Sequence, residues 1–292
     1  MSGLSIEQMP LPDNQFRIDV QSADFESCFL AATEDQKRSK QARKMAKNRT
    51  GKRAVKYREL ADILDPSFTP QTPITLASSR YMRDLRIKVI GAVLALAVSH
   101  PDLDICRFDI AKPRWAVPPR IFRKQSPVNM KGKLRADLLR SARKLGFNNV
   151  PEIQGYLIAF LHGEFTQFDN LPQCFHPHFH ALACGDWIAV VDNMRRQPGY
   201  APTDSTKTPI RATRELHNLP YALSYLLKSY WPAKWKGSVS FVGRKRRTTK
   251  HRRIPEPHHS DLLLWLNKYE PSDLILKMGV YQTKKGFSMK NF

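Results

Sequence analysis

Acidic residues are scarce in this chain: 26 Asp and Glu stand against 48 Lys and Arg, a net charge of +22 at pH 7. A surface of that sign attracts polyanions, nucleic acid first and an anionic membrane surface second. Cysteine is sparse too. Cys28, Cys106, Cys174 and Cys184 form no Cys-x-x-Cys pair, so neither a disulfide framework nor a paired-thiolate metal site is expected. The opening "MSGLSIEQMPLPD" has no basic stretch followed by an apolar one, which argues against a secretory leader. Long hydrophobic runs are missing: the longest, Val89 to Val98, is too short to cross a bilayer. A cytoplasmic protein without a membrane partner is expected. There is no internal repeat and no G-x-x-x-x-G-K-[ST] loop, which argues against an ATP-driven motor domain.

The chain has 292 residues, 41% of them hydrophobic, enough to bury a core in one large domain or two small ones. Residues 37 to 58 carry eleven Lys or Arg and no acid, and "TPQTP" at 69 to 73 reads as a linker. The expected division is a basic N-terminal arm and linker over 1–75, then a folded domain over 76–292 with a basic C-terminal segment. Within that domain, 82 to 99 suits a buried helix and "ICRFDIA" (105 to 111) alternates like a strand. The stretch 131 to 147 places Leu134, Leu138, Leu139, Ala142 and Leu145 on one helical stripe. Strands are expected at 155–167, 175–184 and 236–243, helices near 218–231 and 260–268. The run "RKRRTTKHRR" (244 to 253), seven of whose ten residues are Lys or Arg, offers phosphate contacts together with 37–58.

Three of the nine histidines fall within "FHPHFHAL", 175 to 182. Strand side chains alternate, so His176, His178 and His180 share a face, as do His162, Glu164 and Thr166 on the preceding strand. Antiparallel pairing of the two strands can bring Glu164 beside His178 and His180. Two imidazoles and a carboxylate suit a divalent ion that keeps positions open for a substrate oxygen. An H-x-H-x-D hydrolase motif would need an acid at 182, which is Leu182, and no paired spacing enlists Cys174 and Cys184 for zinc.

Downstream, "YALSYLLKSYW" sets Tyr221, Tyr225 and Lys228 at i, i+4 and i+7, on one helical face, with Leu223, Leu226, Leu227 and Tyr230 toward the core. A tyrosine hydroxyl can attack a phosphodiester and hold the cut strand as an ester, while a nearby ammonium stabilises the developing charge.

These motifs, in this order, resemble those of the HUH endonucleases, the two-tyrosine rolling-circle replication initiators of plasmids and small phages in particular. "HPHFH" is similar to the metal motif, and Tyr221-Ala-Leu-Ser-Tyr225-Leu-Leu-Lys228 is similar to Tyr-x-x-x-Tyr-x-x-Lys. The likeness covers about 155 to 230. It implies an α+β fold: a central antiparallel sheet of about five strands carrying the metal strand, with helices, the tyrosine helix included, packed on it. It also implies Mg²⁺ or Mn²⁺ held by His178, His180 and a third ligand, for which Glu164 is favoured over His162 and Asp169, with His176 in support. Tyr225 is the implied nucleophile, followed by Lys228, with Tyr221 as a second nucleophile. The implied activity is site-specific nicking and strand transfer of single-stranded or hairpin origin DNA through a 5′-phosphotyrosine. The reaction would initiate and terminate rolling-circle replication alongside host helicase and polymerase. Transposases and relaxases share that chemistry. A non-catalytic basic nucleic-acid-binding protein with a structural zinc is the reading from a different class, and it leaves Tyr221, Tyr225 and Lys228 without a role.

Overall fold

The computed structural model describes residues 25–168, 171–203, 206–214, 216, 219–228, 230–241, 244–283 and 286–289. Helix α1 (Cys28–Lys47) starts at Ser27, whose hydroxyl accepts a hydrogen bond from Leu30 N over 3.2 Å. Helix α2 (Gly51–Leu64) packs back against it. The cation-rich segment 37–58, read as a solvated basic arm, is helical over most of its length. Lys37, Lys40, Lys44 and Lys47 face outward, while Ala42, Leu60, Ala61 and Leu64 enter the main core. One buried stripe is enough to dock a helix whatever charge the opposite face carries. Across the expected division at 75/76, buried Asp35 accepts from Ser78 Oγ (2.7 Å), Ser79 N (2.5 Å) and Arg80 Nε (3.1 Å) at the start of α3 (Ser79–Val98).

The sheet has the order β4-β1-β3-β2-β5-β6, with β7 also on β2. Its strands are β1 (Ile105–Ala111), β2 (Gly155–Phe168), β3 (Leu171–Gly185), β4 (Ile210–Thr213), β5 (Ala233–Phe241), β6 (Arg244–Arg252) and β7 (Ile275–Met278). The fold is α+β with a central antiparallel sheet, as expected, and the His-rich strand β3 lies between β1 and β2. One pairing departs from the antiparallel pattern: β5 runs parallel to β2. The basic run 244–252 forms edge strand β6, paired with β5. A cation-rich sequence suits an edge, where charge opposes pairing with another chain.

One sheet face is apolar along the middle of its central strands. Phe108 and Ile110 of β1, Leu161 and Phe165 of β2, and Phe175 and Phe179 of β3 are all buried there. Phe122, from the helical turn α4 (Pro119–Phe122), stacks on Phe175 at 4.2 Å, and Trp115 meets Phe179 edge-on at 5.7 Å. Helix α5 (Pro127–Lys144) is tied to α6 (Trp187–Met194) by Ser141 Oγ donating to Val190 O over 2.6 Å. The other face changes character along the strands. Tyr156, Ile158 and Phe160 of β2 are buried beside Leu182 and Cys184 of β3. The next positions outward on the same face are His162 and Glu164, beside His180, His178 and His176.

The expected helix at 218–231 is shorter: α7 covers Leu219–Ser224 and the chain turns through Tyr225 to Leu227. Asn218, expected as its cap, lies outside the described residues. Two capture events account for the early stop. Leu226 N donates to Leu223 O over 2.9 Å, and Arg86 Nε of α3 takes the Leu227 carbonyl over 2.6 Å. Leu223, Leu226 and Leu227 are buried as expected, but Tyr230 is 56% exposed. Helices α8 (His258–Leu266) and α9 (Pro271–Leu274) and the hairpin of β8 (Val280–Thr283) and β9 (Gly286–Met289) complete the described chain. Among the described residues no helix is long and apolar enough to cross a membrane.

Candidate functional site

The register of β2 and β3 decides which side chains meet. His162 lies opposite His178, Phe160 opposite His180, and Glu164 opposite His176. One ring nitrogen each from His162, His178 and His180 lies within 4.8 Å of the others. The ring centroids are 4.8 to 5.3 Å apart. Glu164, the third ligand favoured from the sequence, stands one pair further along, with its carboxylate on the Lys234 ammonium of β5. A pairing one step from the favoured one gives that place to His162. Asp169, the other rival, lies outside the described residues. His176 bonds Thr166 Oγ1 through Nε2 at 2.7 Å and takes no part in the triad.

Each imidazole of the triad is oriented by an oxygen that can only accept. His162 Nε2 donates to Tyr230 O (2.9 Å), His178 Nδ1 to His176 O (2.9 Å) and His180 Nδ1 to Asp109 Oδ1 (2.6 Å). These bonds fix the tautomers and leave a lone pair on His162 Nδ1, His178 Nε2 and His180 Nε2. Among the described residues, His162 Nδ1 and His180 Nε2 are buried with no hydrogen-bond partner. Two orphaned lone pairs beside a third imidazole are the donor set a divalent transition ion needs.

Electrostatics favour the same state. Burial holds all three rings below the ordinary histidine value, His178 down to about 4, so they are neutral near pH 7. Burial works against the charge of Asp109, yet the hydrogen bond and charge of His180 outweigh it and pull the carboxyl down to about 2. Glu164 is likewise held below the usual carboxylate range: Lys234 and His178 overcome its burial.

The tyrosines stand over the same polar face. Tyr221 and Tyr225 are joined hydroxyl to hydroxyl at 2.8 Å, although α7 ends between them. Lys228 Nζ sits 4.9 Å from the Tyr225 ring centroid, and the Arg107 guanidinium 5.3 Å from it. Arg107 and Asp109 of β1 alternate onto the sheet face that carries His180 and His178 of β3, so the Arg107 contact puts Tyr225 on the triad's side of the sheet. Burial lowers the Lys228 ammonium, as do Lys234 and Arg107, against Asp109 and Glu164. Among the described residues, Asp109, Glu164, Lys228, Lys234 and Arg107 thus gather around the triad.

Sequence reasoning missed Arg107, Asp109, Lys234 and the Tyr230 carbonyl. Alternation in "ICRFDIA" did place Arg107 and Asp109 on the face opposite Cys106, Phe108 and Ile110, and two charges at i and i+2 on a central strand were the available signal. The Tyr230 carbonyl carries no signal, because it depends on where the chain enters β5.

The edge of β2 explains that entry. Strand β7 pairs with Leu157 to Phe160 and β5 with Phe165 onward, leaving a gap between them. The buried Trp231 ring fills it, 5.8 Å from His162 and edge-on to Phe122 and Phe175. Gly163 permits this contact, since a Cβ there would fall inside the Trp231 ring. No family model, curated protein or solved structure matches this chain.

Proposed function

We propose that this chain nicks and rejoins single-stranded DNA by transferring a phosphoryl group onto Tyr225, the chemistry of the replication initiators that its motifs resemble. The observation that carries the reading is the convergence of three oriented imidazoles on one sheet face beside the hydrogen-bonded Tyr221–Tyr225 pair. His162, His178 and His180 would hold the ion. An all-nitrogen set favours Mn²⁺ or a later transition ion over Mg²⁺. A bound divalent ion supplies Lewis acidity toward the non-bridging oxygens of a phosphate.

The chain's own residues do the remainder. The Tyr225 oxygen bonds to phosphorus as the bond from phosphorus to the 3′ oxygen breaks. The phenol proton is released and the departing oxygen gains one, leaving a 5′-phosphotyrosine and a free 3′-OH. Lys228 and Arg107, both against the Tyr225 ring, balance the charge that develops on the phosphate. Tyr221, 41% exposed and bonded to Tyr225, would serve as the second nucleophile, cutting the regenerated site and letting the released strand be rejoined. The protein would thereby start and finish rolling-circle replication. A transposase or relaxase would use the same residues.

Covalent capture tests the proposal. The protein is incubated with Mn²⁺ and single-stranded oligonucleotides tiled across the DNA that encodes it, then run on a denaturing gel. A DNA adduct that is lost in Tyr225→Phe is expected. No adduct on any tile, or full nicking by the Tyr221→Phe/Tyr225→Phe double variant, would overturn it and leave the structural-zinc reading.

A further inference from the structure

A cavity of about 930 Å³ adjoins the tyrosine pair, at the upper end of the range that holds small ligands. Tyr221, Tyr225, Lys228, Tyr230 and Trp231 line one side of it, and none of the three triad histidines does. The opposite wall comes from outside the motif-bearing span: Arg38 of α1, Arg86 of α3, and Arg252 and Arg253 at the end of β6.

Its chemistry is lopsided. Among the described residues, five cations face two carboxylates, Glu26 and Glu34, and both carboxylates are already held. Glu34 takes Arg38 (2.9 Å) and Arg253 (3.0 Å), and Glu26 takes Arg86 (2.6 Å). Two aromatic rings, Tyr221 and Tyr230, stand exposed across the cavity from these arginines, at 41% and 56%. Exposed rings offer stacking faces and guanidiniums offer phosphate contacts, the pair of features that a single nucleic-acid strand requires. A duplex cannot use the rings, because its bases are already stacked on each other.

Tyr230 links cavity and triad. Its carbonyl holds His162 at 2.9 Å while its side chain stands at the cavity. We infer that the cavity seats the nucleotides next to the phosphate attacked by Tyr225, with a base on Tyr230 and phosphate on Arg252 and Arg253. The N-terminal helices, which the motif resemblance does not reach, form the second wall of this DNA site. The inference rests on the nicking reading for its position in the reaction, but its binding chemistry is separable from cleavage.

Fluorescence anisotropy of a labelled oligothymidylate with the full chain in EDTA tests it, because nothing is cut. Tyr230→Ser keeps the main-chain carbonyl on His162 and is expected to weaken single-strand binding about tenfold without changing duplex binding. Arg252→Gln with Arg253→Gln is expected to flatten the salt dependence by about 1.4 in slope, at about 0.7 per phosphate. Thermal melts confirm that each variant is folded. Single-strand affinity equal to wild type in both folded variants overturns the inference, and so does wild-type protein that prefers duplex. Variants that lose binding in a protein that never nicks sustain the cavity and sink the nicking proposal. A protein that nicks, with cavity variants that bind like wild type, sinks the cavity alone.

Discussion

His180 donates its Nδ1 proton to Asp109 Oδ1 over 2.6 Å, between residues that lie directly opposite each other where β3 pairs with β1. The carboxylate fixes the tautomer and turns Nε2 toward His162 and His178. In Asp109→Asn the ring loses its anionic partner, so Mn²⁺ affinity should fall about 10- to 100-fold. Isothermal titration on the folded variant measures it. Unchanged affinity would mean that His180 is oriented by packing alone.

The third ligand is decided by comparing two variants on the same strand. Wild-type protein should gain about 2.7 kcal/mol of stability at Mn²⁺ one hundred times its Kd. His162→Ala should abolish that gain. Glu164→Gln should keep it, because the carboxylate is engaged by Lys234. Metal-dependent thermal melts report both, and the reverse pattern would restore Glu164 as the ligand.

Acid should destabilise the metal-free protein in a defined window. The folded-state value of His178 lies at about 4, below an ordinary unfolded value of about 6.5. Between those limits the unfolded chain binds the extra proton, so stability is full above about 6.5 and declines as pH falls through 4. His162 and His180 shift in the same direction. Chemical denaturation across this range should show stability falling with acid, and His178→Gln should reduce the slope. A flat profile would contradict burial of neutral imidazoles.

Lys228 should matter to the rate more than to the fold. Lys228→Met retains the stem of the side chain and removes the charge over the Tyr225 ring. Covalent adduct formation should slow by about 100-fold or more, with Mn²⁺ binding preserved. An unchanged single-turnover rate would remove Lys228 from the chemistry.

Gly163→Ala tests the packing behind the site. The added methyl must displace the Trp231 ring, at a typical overpacking cost of about 1–3 kcal/mol. Denaturant unfolding gives the cost. Tryptophan fluorescence should change with it, since Trp231 is buried against Phe122 and Phe175.

Much of the site was legible in the sequence, and the parts that were not share a cause. Parity alone places His178 and His180 together, and the Tyr221–Tyr225 spacing survives as a hydrogen bond even though the helix stops at Ser224. Pairing register is not written in either strand. A shift that exchanges His162 for Glu164 leaves the alternation of both intact, and only the assembled sheet distinguishes them. At 37–58 the eleven cations give no sign of how α1 and α2 dock: Ala42 enters the core from within the run, and Leu60, Ala61 and Leu64 lie just beyond it. Tyr230 was expected inside by its place after three leucines, and the chain turns before it can point there.

The hydrogen bonds that finish the site span long stretches of chain: 68 residues from His162 to Tyr230, 71 from Asp109 to His180 and 141 from Arg86 to Leu227. Closing loops of that length is entropically costly until distant elements have docked. The central β1–β3–β2 ladder can exist before residue 230 reaches its edge, but at that stage His162 has no carbonyl to orient it. Ion-binding competence should therefore emerge late in refolding, after sheet formation, when the chain beyond residue 227 has docked on the edge of β2.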